Sequence, residues 1–397
     1  MRVLALSSWW PEPADNGSRM RIAHLLHALA QEHEVHLVAL SQGEVQADQR
    51  AQLETVCASA RSIPERTWVP RRAETIASLW HSEPTSIRAT WNPAFAALLR
   101  ERAAAVRPDL LIAFQYAAAA YAHLVADVPR VLEELEVTVL FEQFARERNP
   151  GRRLRAYLTW HKHRSYLLRL LRNFDACTVV SEREQAQVRR FAPHGMPIAV
   201  IPNGADVDGC RGPWGEPKPD MLIYAGALTY DANLDAVVYF LSTILPLLRK
   251  SRPNVQLRVT GKADAAQRDL LSAFDGVEFT GYVPDIRPVV ARAWAEVVPL
   301  RKGGGTRLKV LEALALGTPV VSTSKGVEGL NLEDGQHILI GDTPGAFAAA
   351  TIRLLSQPDL RARLSAAGRD VVRAHYDWRT IGQQLNAVIR EVVPAGD

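Results

Sequence analysis

Short apolar runs alternate along this chain with stretches in which apolar residues recur at helical spacing. Val3 to Leu6 is an apolar run of strand length. After the turn-rich segment Pro11 to Ser18, the residues Ile22, Leu25, Leu26 and Leu29 mark one face of a helix, and Val35 to Leu40 is a second strand-like run. Strand, helix and strand in that order predict a βαβ unit, the start of a parallel sheet with helices on its faces. Leu110 to Phe114, Arg130 to Leu132, Ala176 to Val180 and Ile198 to Ile201 continue the strands.

The stretch Gly204 to Pro219 is rich in Gly, Pro and Asp and reads as a linker. A second series then predicts strands at Met221 to Tyr224, Gln256 to Val259, Val277 to Phe279, Ala295 to Val298, Pro319 to Ser322 and His337 to Ile340. Helical patterns lie between them, including Leu234 to Leu248 and Arg307 to Leu316. The expected fold class is α/β, two Rossmann-like doubly wound domains over 1–203 and 204–377. A ligand is expected in a central cleft at the C-terminal ends of the strands. The amphipathic terminal segment 378–397 is expected to pack back on the first domain.

Composition adds limits. A length of 397 residues suits two to three domains at roughly 150 residues each. With 47 Lys+Arg against 43 Asp+Glu, the net charge of +4 is too small for a general polyanion binder, so nucleic acid is not an expected partner. Cys57, Cys177 and Cys210 fit neither a disulfide framework nor a metal site, which indicates a reducing compartment. Val3 to Leu6 is too brief for a signal peptide, and no stretch approaches the roughly 20 apolar residues of a membrane span. A cytoplasmic protein is expected, or one peripheral on the inner face of the cytoplasmic membrane.

The segment Arg301 to Val321 carries the strongest chemical signal. Gly303, Gly304 and Gly305 let backbone approach a ligand, and a helix follows that stops at Gly317. Free amides and the positive end of the helix dipole there make an anion site, with Arg307 and Lys309 adding charge. Glu312, about a turn and a half in, suits two vicinal hydroxyls such as those of a ribose.

This segment resembles the GT-B glycosyltransferases of family 4, retaining enzymes that use nucleotide-activated sugars. Thr178 to Ser181, Ile201-Pro202-Asn203-Gly204-Ala205-Asp206 and Phe279 to Asp285 are similar to further motifs of that family, so the likeness spans nearly the whole chain. The resemblance implies a nucleotide-sugar donor bound by Gly304, Gly305, Thr306, Lys309 and Glu312. Tyr282 and Val283 would lie by the base, Gly226 by the diphosphate, and Gly17 against donor and acceptor from the first domain. It implies no cofactor and no metal.

Two departures stand out. Many members have a glutamate where this chain has Gly304, and many carry an Arg and a Lys in the region that here reads Tyr224 to Asn233, without either cation. Arg307 or Lys309 is then expected to supply the charge opposite the leaving diphosphate. In the first domain the family places a polar residue near the anomeric carbon. Gln115-Tyr116 and the cluster Glu133-Glu134-Leu135-Glu136 are the candidates, with Glu136 taken as the catalytic one and exposed loop acids as the plainer reading.

Asp206-Val207-Asp208 imitates a metal-binding Asp-x-Asp, but its place after Pro202-Asn203-Gly204 marks a linker. His24, His27, His33 and His36 complete no ligand set. From Arg146 to Arg172 nine cations face a single acid, Glu147, with aromatic and leucine residues interleaved. This predicts one basic amphipathic helix: a solvated outer face, a surface for anionic lipid, a cover for an anionic acceptor channel or, behind these, a contact for nucleic acid. The expected activity is sugar transfer to a glycan, lipid-linked or small-molecule acceptor with retention of configuration. A nucleotide-sugar epimerase of the same architecture is the alternative. A dinucleotide oxidoreductase lacks support, since no G-x-G-x-x-G follows a strand.

Overall fold

The computed structural model describes residues 1–68, 81–305 and 307–393, the side chain of Arg146 excepted. It divides into two compact units, Met1–Pro202 with Ile381–Asp397, and Asn203–Thr380.

The first unit is built on a seven-stranded parallel sheet in the order β3-β2-β1-β4-β5-β6-β7. Its strands are β1 (Arg2–Ser7), β2 (Glu34–Ser41), β3 (Ser59–Pro64), β4 (Leu110–Phe114), β5 (Arg130–Glu133), β6 (Ala176–Val179) and β7 (Ile198–Val200). Strand order reverses between β1 and β4, whose register runs from Val3 opposite Leu110 to Ser7 opposite Phe114. Both strands are buried along nearly all of their length because helices cover both faces. β3 was not expected: Ser59-Ala60-Arg61-Ser62-Ile63-Pro64 has no apolar run, as suits a strand at the sheet edge. The helix Trp378–Val392 returns the chain to this unit, where Gly382 lies against Ala28 and Asn386 donates to Glu32 at 2.8 Å.

The second unit holds a six-stranded parallel sheet in the order β10-β9-β8-β11-β12-β13. Its strands are β8 (Lys218–Ala225), β9 (Gln256–Thr260), β10 (Val277–Gly281), β11 (Ala293–Val298), β12 (Val320–Ser322) and β13 (Leu339–Ile340). Here the order reverses between β8 and β11. In open parallel sheets such reversals leave a crevice at the C-terminal strand ends, so the loops after β1, β4, β8 and β11 are the places for ligands.

One expectation needs correction. The basic segment is not one helix: Thr138–Arg146 ends, and Pro150–Leu171 starts afresh with Asn149 as its N-cap and Pro150 in its first turn. Nor is the second helix striped from end to end. Tyr166, Leu167, Leu170 and Leu171 are buried, whereas Leu154, Tyr157 and Leu158 in its first half are exposed. The helical run Asp231–Arg249, 19 residues, is long and apolar enough by length and composition to cross a membrane, but it is a core helix. Ala236, Val237, Phe240, Leu241, Ile244 and Leu248 on it are buried in the core of the second unit.

Candidate functional site

In the second unit the reversal between β8 and β11 gathers the polar side chains. The loop after β11 carries Gly303 to Gly305 and delivers Arg307 as the N-cap of the helix Leu308–Leu316. Among the described residues no side chain caps this helix start, which carries the positive end of the helix dipole. Gly303 has φ +99°, and a β-carbon there would lie 2.9 Å from the Tyr230 hydroxyl; a side chain would fill the space beside the loop.

Arg307 is buried, and its Nη1 donates to the Gly304 carbonyl. Its Nε and Nη2 are buried without a hydrogen-bond partner among the described residues. Buried donors in that state cost free energy until a ligand satisfies them, and guanidinium suits an oxyanion.

Lys309 points the other way, to the turn after β8. Its Nζ donates to Asn233 Oδ1 at 3.2 Å and lies 3.9 Å from the centre of the Tyr224 ring. Asn233 is held in turn by the Tyr224 hydroxyl at 2.7 Å and by the Ala227 carbonyl at 2.8 Å. Gly226 has φ +153°, and a β-carbon on it would come within 2.6 Å of Lys309 Nζ. Lysine 309 therefore places its ammonium in the very loop, 226–233, that has no cation of its own.

Burial governs the charges of this group. It lowers the Lys309 ammonium, opposed by the charge of Glu296. Glu296, fully buried on β11, is raised by burial against the pull of Lys309. Glu312 is raised by burial as well, again opposed by Lys309. One cation and two acids that perturb each other at a sheet reversal are a functional-site signature.

Gly304 and Gly305 lie in the same loop, and Thr306 falls outside the described residues. Tyr282 follows β10, exposed, with the Lys262 ammonium 5.4 Å from its ring centre, and Val283 is half-buried beside it. The structure thus brings Gly226, Arg307, Lys309 and Glu312 to one sheet reversal.

The first unit has a second candidate region, a cavity of about 500 Å³ at the C-terminal ends of its strands. Ser8, Trp9, Ser18, Gln115, Glu134 and Glu136 are among its lining residues. Gln115 bridges the strand ends: its Oε1 accepts from Trp9 Nε1 at 3.0 Å, and its Nε2 donates to Ser18 Oγ and to Glu134 Oε2, each at 3.1 Å. Gln115 and Glu134 both have positive φ, +66° and +60°. Non-glycine residues held there cost roughly 1–3 kcal/mol each, strain that concentrates at active sites. Burial pushes the Glu134 carboxyl up to about 7, against the pull of Arg21. Glu136, the acid singled out from sequence, lines the same cavity, next to Glu134, which Gln115 ties into its network. The signal of Glu134 was a pair of strained positions, which sequence does not display. Gly17 is exposed at the start of the helix Gly17–Ala30, with Asn16 as its N-cap accepting from Arg19 N at 3.1 Å, while its neighbour Ser18 reaches the cavity.

Beneath this network Arg21 is fully buried. It donates from Nε to Glu133 Oε1 at 2.9 Å, and to the carbonyls of Pro202 and Ile201 at 2.9 Å each. Asp206 accepts from Gly209 N at 2.9 Å and Asp208 pairs with Arg379 at 3.0 Å, so both are tied into local structure. His36 bonds Ser59 Oγ at 2.9 Å, and no group of three His, Cys, Asp or Glu side chains suited to a metal occurs among the described residues.

Two family models match the chain, one described as Glycosyltransferase Family 4 over residues 15–208 and one as Glycosyl transferases group 1 over residues 219–357. A phosphatidyl-myo-inositol mannosyltransferase of Mycobacterium leprae is 30% identical over 51% of this chain and 56% of its own length. A glycogen synthase of Mycobacterium tuberculosis is 28% identical over 56% of this chain and 54% of its own. The chain thus spans about half the length of the curated relatives it matches. Among solved structures, sucrose-phosphate synthase of Thermosynechococcus elongatus superposes with a TM-score of 0.68 at 20% identity, covering 100% of both chains. Anabaena Alr3699/HepE, solved with UDP and glucose, gives 0.66 at 13% identity, covering 98% of this chain and 100% of that one. The shared architecture is the GT-B fold, two doubly wound α/β units. The epimerase alternative is not favoured by these likenesses.

Proposed function

The chain belongs to the family 4, group 1 glycosyltransferases, and from that premise we propose that it transfers a sugar from a nucleoside diphosphate to an acceptor hydroxyl. The observation that carries this reading is the uncapped helix start at Leu308, with buried Arg307 nitrogens that have no hydrogen-bond partner among the described residues on one side and the Lys309 ammonium on the other. Two cations and free amides suit a diphosphate, and they stabilise the negative charge that grows on it as the glycosidic bond breaks. Glu312, in the same helix, takes the ribose hydroxyls. Gly304 and Gly305 give the sugar and phosphates access to backbone.

The acceptor goes to the cavity of the first unit. Glu134 there hydrogen-bonds the attacking hydroxyl and takes its proton, oriented by Gln115. The retaining outcome follows the resemblance to the family. No metal enters the reading, since Arg307 and Lys309 occupy the role of a charge clamp.

A lipid-linked acceptor is the favoured class. On the helix Pro150–Leu171, exposed Leu154, Tyr157 and Leu158 sit among Arg152, Arg153 and Arg155, and Phe144 of the preceding helix packs against Tyr157 with ring centres 5.3 Å apart. Exposed apolar side chains ringed by arginines suit the headgroup region of an anionic membrane. Val139 and Leu140 of that preceding helix line the acceptor cavity, so membrane contact and acceptor cavity share one helix pair.

The test is calorimetric titration with UDP-, GDP-, ADP- and TDP-sugars, followed by Glu312→Ala against the donor that binds. The expected result is saturable binding of one donor, weakened about tenfold or more by the substitution. Failure of every donor to bind overturns the proposal. Co-sedimentation with anionic liposomes at low salt tests the membrane part, which is wrong if protein stays in the supernatant.

A further inference from the structure

Glu296 was not marked by the sequence, and its surroundings are unusual. It is fully buried in the middle of a six-stranded sheet, on β11 beside Ile223 of β8. Its Oε1 accepts the Ala225 amide at 3.4 Å, and its Oε2 is buried with no hydrogen-bond partner among the described residues. A buried carboxylate in that state is costly unless a cation compensates it.

The compensating cation is set by the turn after β8. Ala225 turns its amide to Glu296, and the next residue, Gly226, turns its bare α-carbon to Lys309 Nζ, 2.6 Å from where a β-carbon would be. Glu296 and Lys309 thus grip one turn from two sides, and each opposes the effect of burial on the other's charge. Lys309 has one hydrogen-bond acceptor, Asn233, and the Tyr224 ring face. Neither carries a formal charge, so neither can keep an ammonium ionised when water is excluded; of the charged groups that face Lys309, Glu296 supports the ammonium most, Arg307 opposes it and Glu312 supports it least.

We infer that Glu296 is a positioning residue of the donor site. Its carboxylate keeps the Lys309 ammonium charged and seated against Asn233 and Tyr224, in the loop 226–233 that has no cation of its own. The inference rests on the donor-site reading above and adds a residue that touches no substrate.

The experiment is the pH dependence of nucleoside diphosphate affinity, with UDP, GDP and ADP as probes, in wild type and Glu296→Gln. Without the carboxylate, Lys309 loses its proton at lower pH. The variant should bind within about twofold of wild type at pH 5 and about tenfold more weakly at pH 8 for each unit by which Lys309 falls. Titration of the nucleotide itself is common to both proteins and cancels. A carboxylate that merely repels phosphate predicts the reverse, tighter binding by Glu296→Gln at every pH, and that result overturns the inference. So does an unmoved profile. If the glutamine variant does not fold, Glu296→Asp keeps the charge one methylene further from the turn, and it should show the same shift at smaller size. In a Lys309→Met background Glu296→Gln should change affinity less than twofold. Wild-type affinity in Lys309→Met itself would instead overturn the donor-site reading, which separates the two failures.

Discussion

Replacing Glu134 by Gln should raise stability and abolish transfer, and the stability part has a definite pH signature. The substitution keeps the shape of the side chain and its hydrogen bond with Gln115, since a glutamine carbonyl can accept from Nε2 where Glu134 Oε2 now does at 3.1 Å. It removes only the capacity to ionise. Burial raises this carboxyl from 4.5 to about 7. A group whose folded value is raised favours the fold fully below its unfolded value, and that contribution is lost as pH rises through the folded one. Wild type therefore loses stability between about pH 4.5 and pH 7, by at most about 3 kcal/mol. Glu134→Gln does not ionise and escapes the loss. Thermal melts should show no gain at pH 4.5 and an upward shift at pH 8 of up to about 10 °C in the transition of the first unit. Activity should run the opposite way: wild-type turnover rises with pH through about 7 as the carboxylate forms, while the variant is flat and slower by about 100-fold or more. Equal thermal gains at both pH values, or wild-type turnover in the variant, would refute the reasoning.

Other outcomes follow from the same contacts. Gly226→Ala adds a β-carbon 2.6 Å from Lys309 Nζ, so nucleoside diphosphate affinity should fall about tenfold while melting changes by only a few degrees; calorimetry checks the first and a thermal melt the second. Arg21→Met strands the buried Glu133 carboxylate and should cost about 3–5 kcal/mol in urea unfolding, most of it recovered by adding Glu133→Met. Turnover should survive EDTA unchanged, because the charge opposite the diphosphate is assigned to Arg307 and Lys309; complete loss of activity would show a metal in that role.

The parts of the fold that could be read from the chain are those with local causes. Val3 to Leu6 and Leu110 to Phe114 announce themselves because a strand covered on both faces needs every residue apolar. β3 escapes this rule: at the sheet edge Ser59, Arg61 and Ser62 are tolerated, and only pairing with β2 makes the segment a strand. The break in the basic segment did have a signal, Asn149 followed by Pro150, but the run of arginines masked it. At the donor site Gly303 to Glu312 is contiguous, so its residue types and spacing carry the chemistry. Glu296 and Glu134 do not stand out in the same way. What distinguishes them is which distant groups they meet: Ala225 lies 71 residues from Glu296, and Gln115 lies 19 residues from Glu134 across neighbouring strands.

The two units show how similar ingredients reach different ends. Each has a cation near the start of a helix and two acids whose charge acts on it: Arg21 with Glu133 and Glu134 in the first, Lys309 with Glu296 and Glu312 in the second. In the first unit Arg21 spends its Nε, Nη1 and Nη2 on Glu133 and on two main-chain carbonyls. The guanidinium is closed, although Glu133 Oε2 is buried without a hydrogen-bond partner among the described residues, and its work is to hold the strand end that presents Glu134. In the second unit the geometry stays open: Lys309 meets one amide oxygen, Glu296 keeps an oxygen without a hydrogen bond, and Arg307 keeps two nitrogens in the same state. Open buried groups raise the free energy of the empty site, and an anion that satisfies them recovers it. Charge alone therefore does not separate scaffold from binding site here. The cations differ in the hydrogen bonds they leave unmade: among the described residues Arg307 has two buried nitrogens without a partner, whereas Arg21 Nε, Nη1 and Nη2 all donate, which supports the proposed phosphate-binding role of the second unit and a supporting role for Arg21.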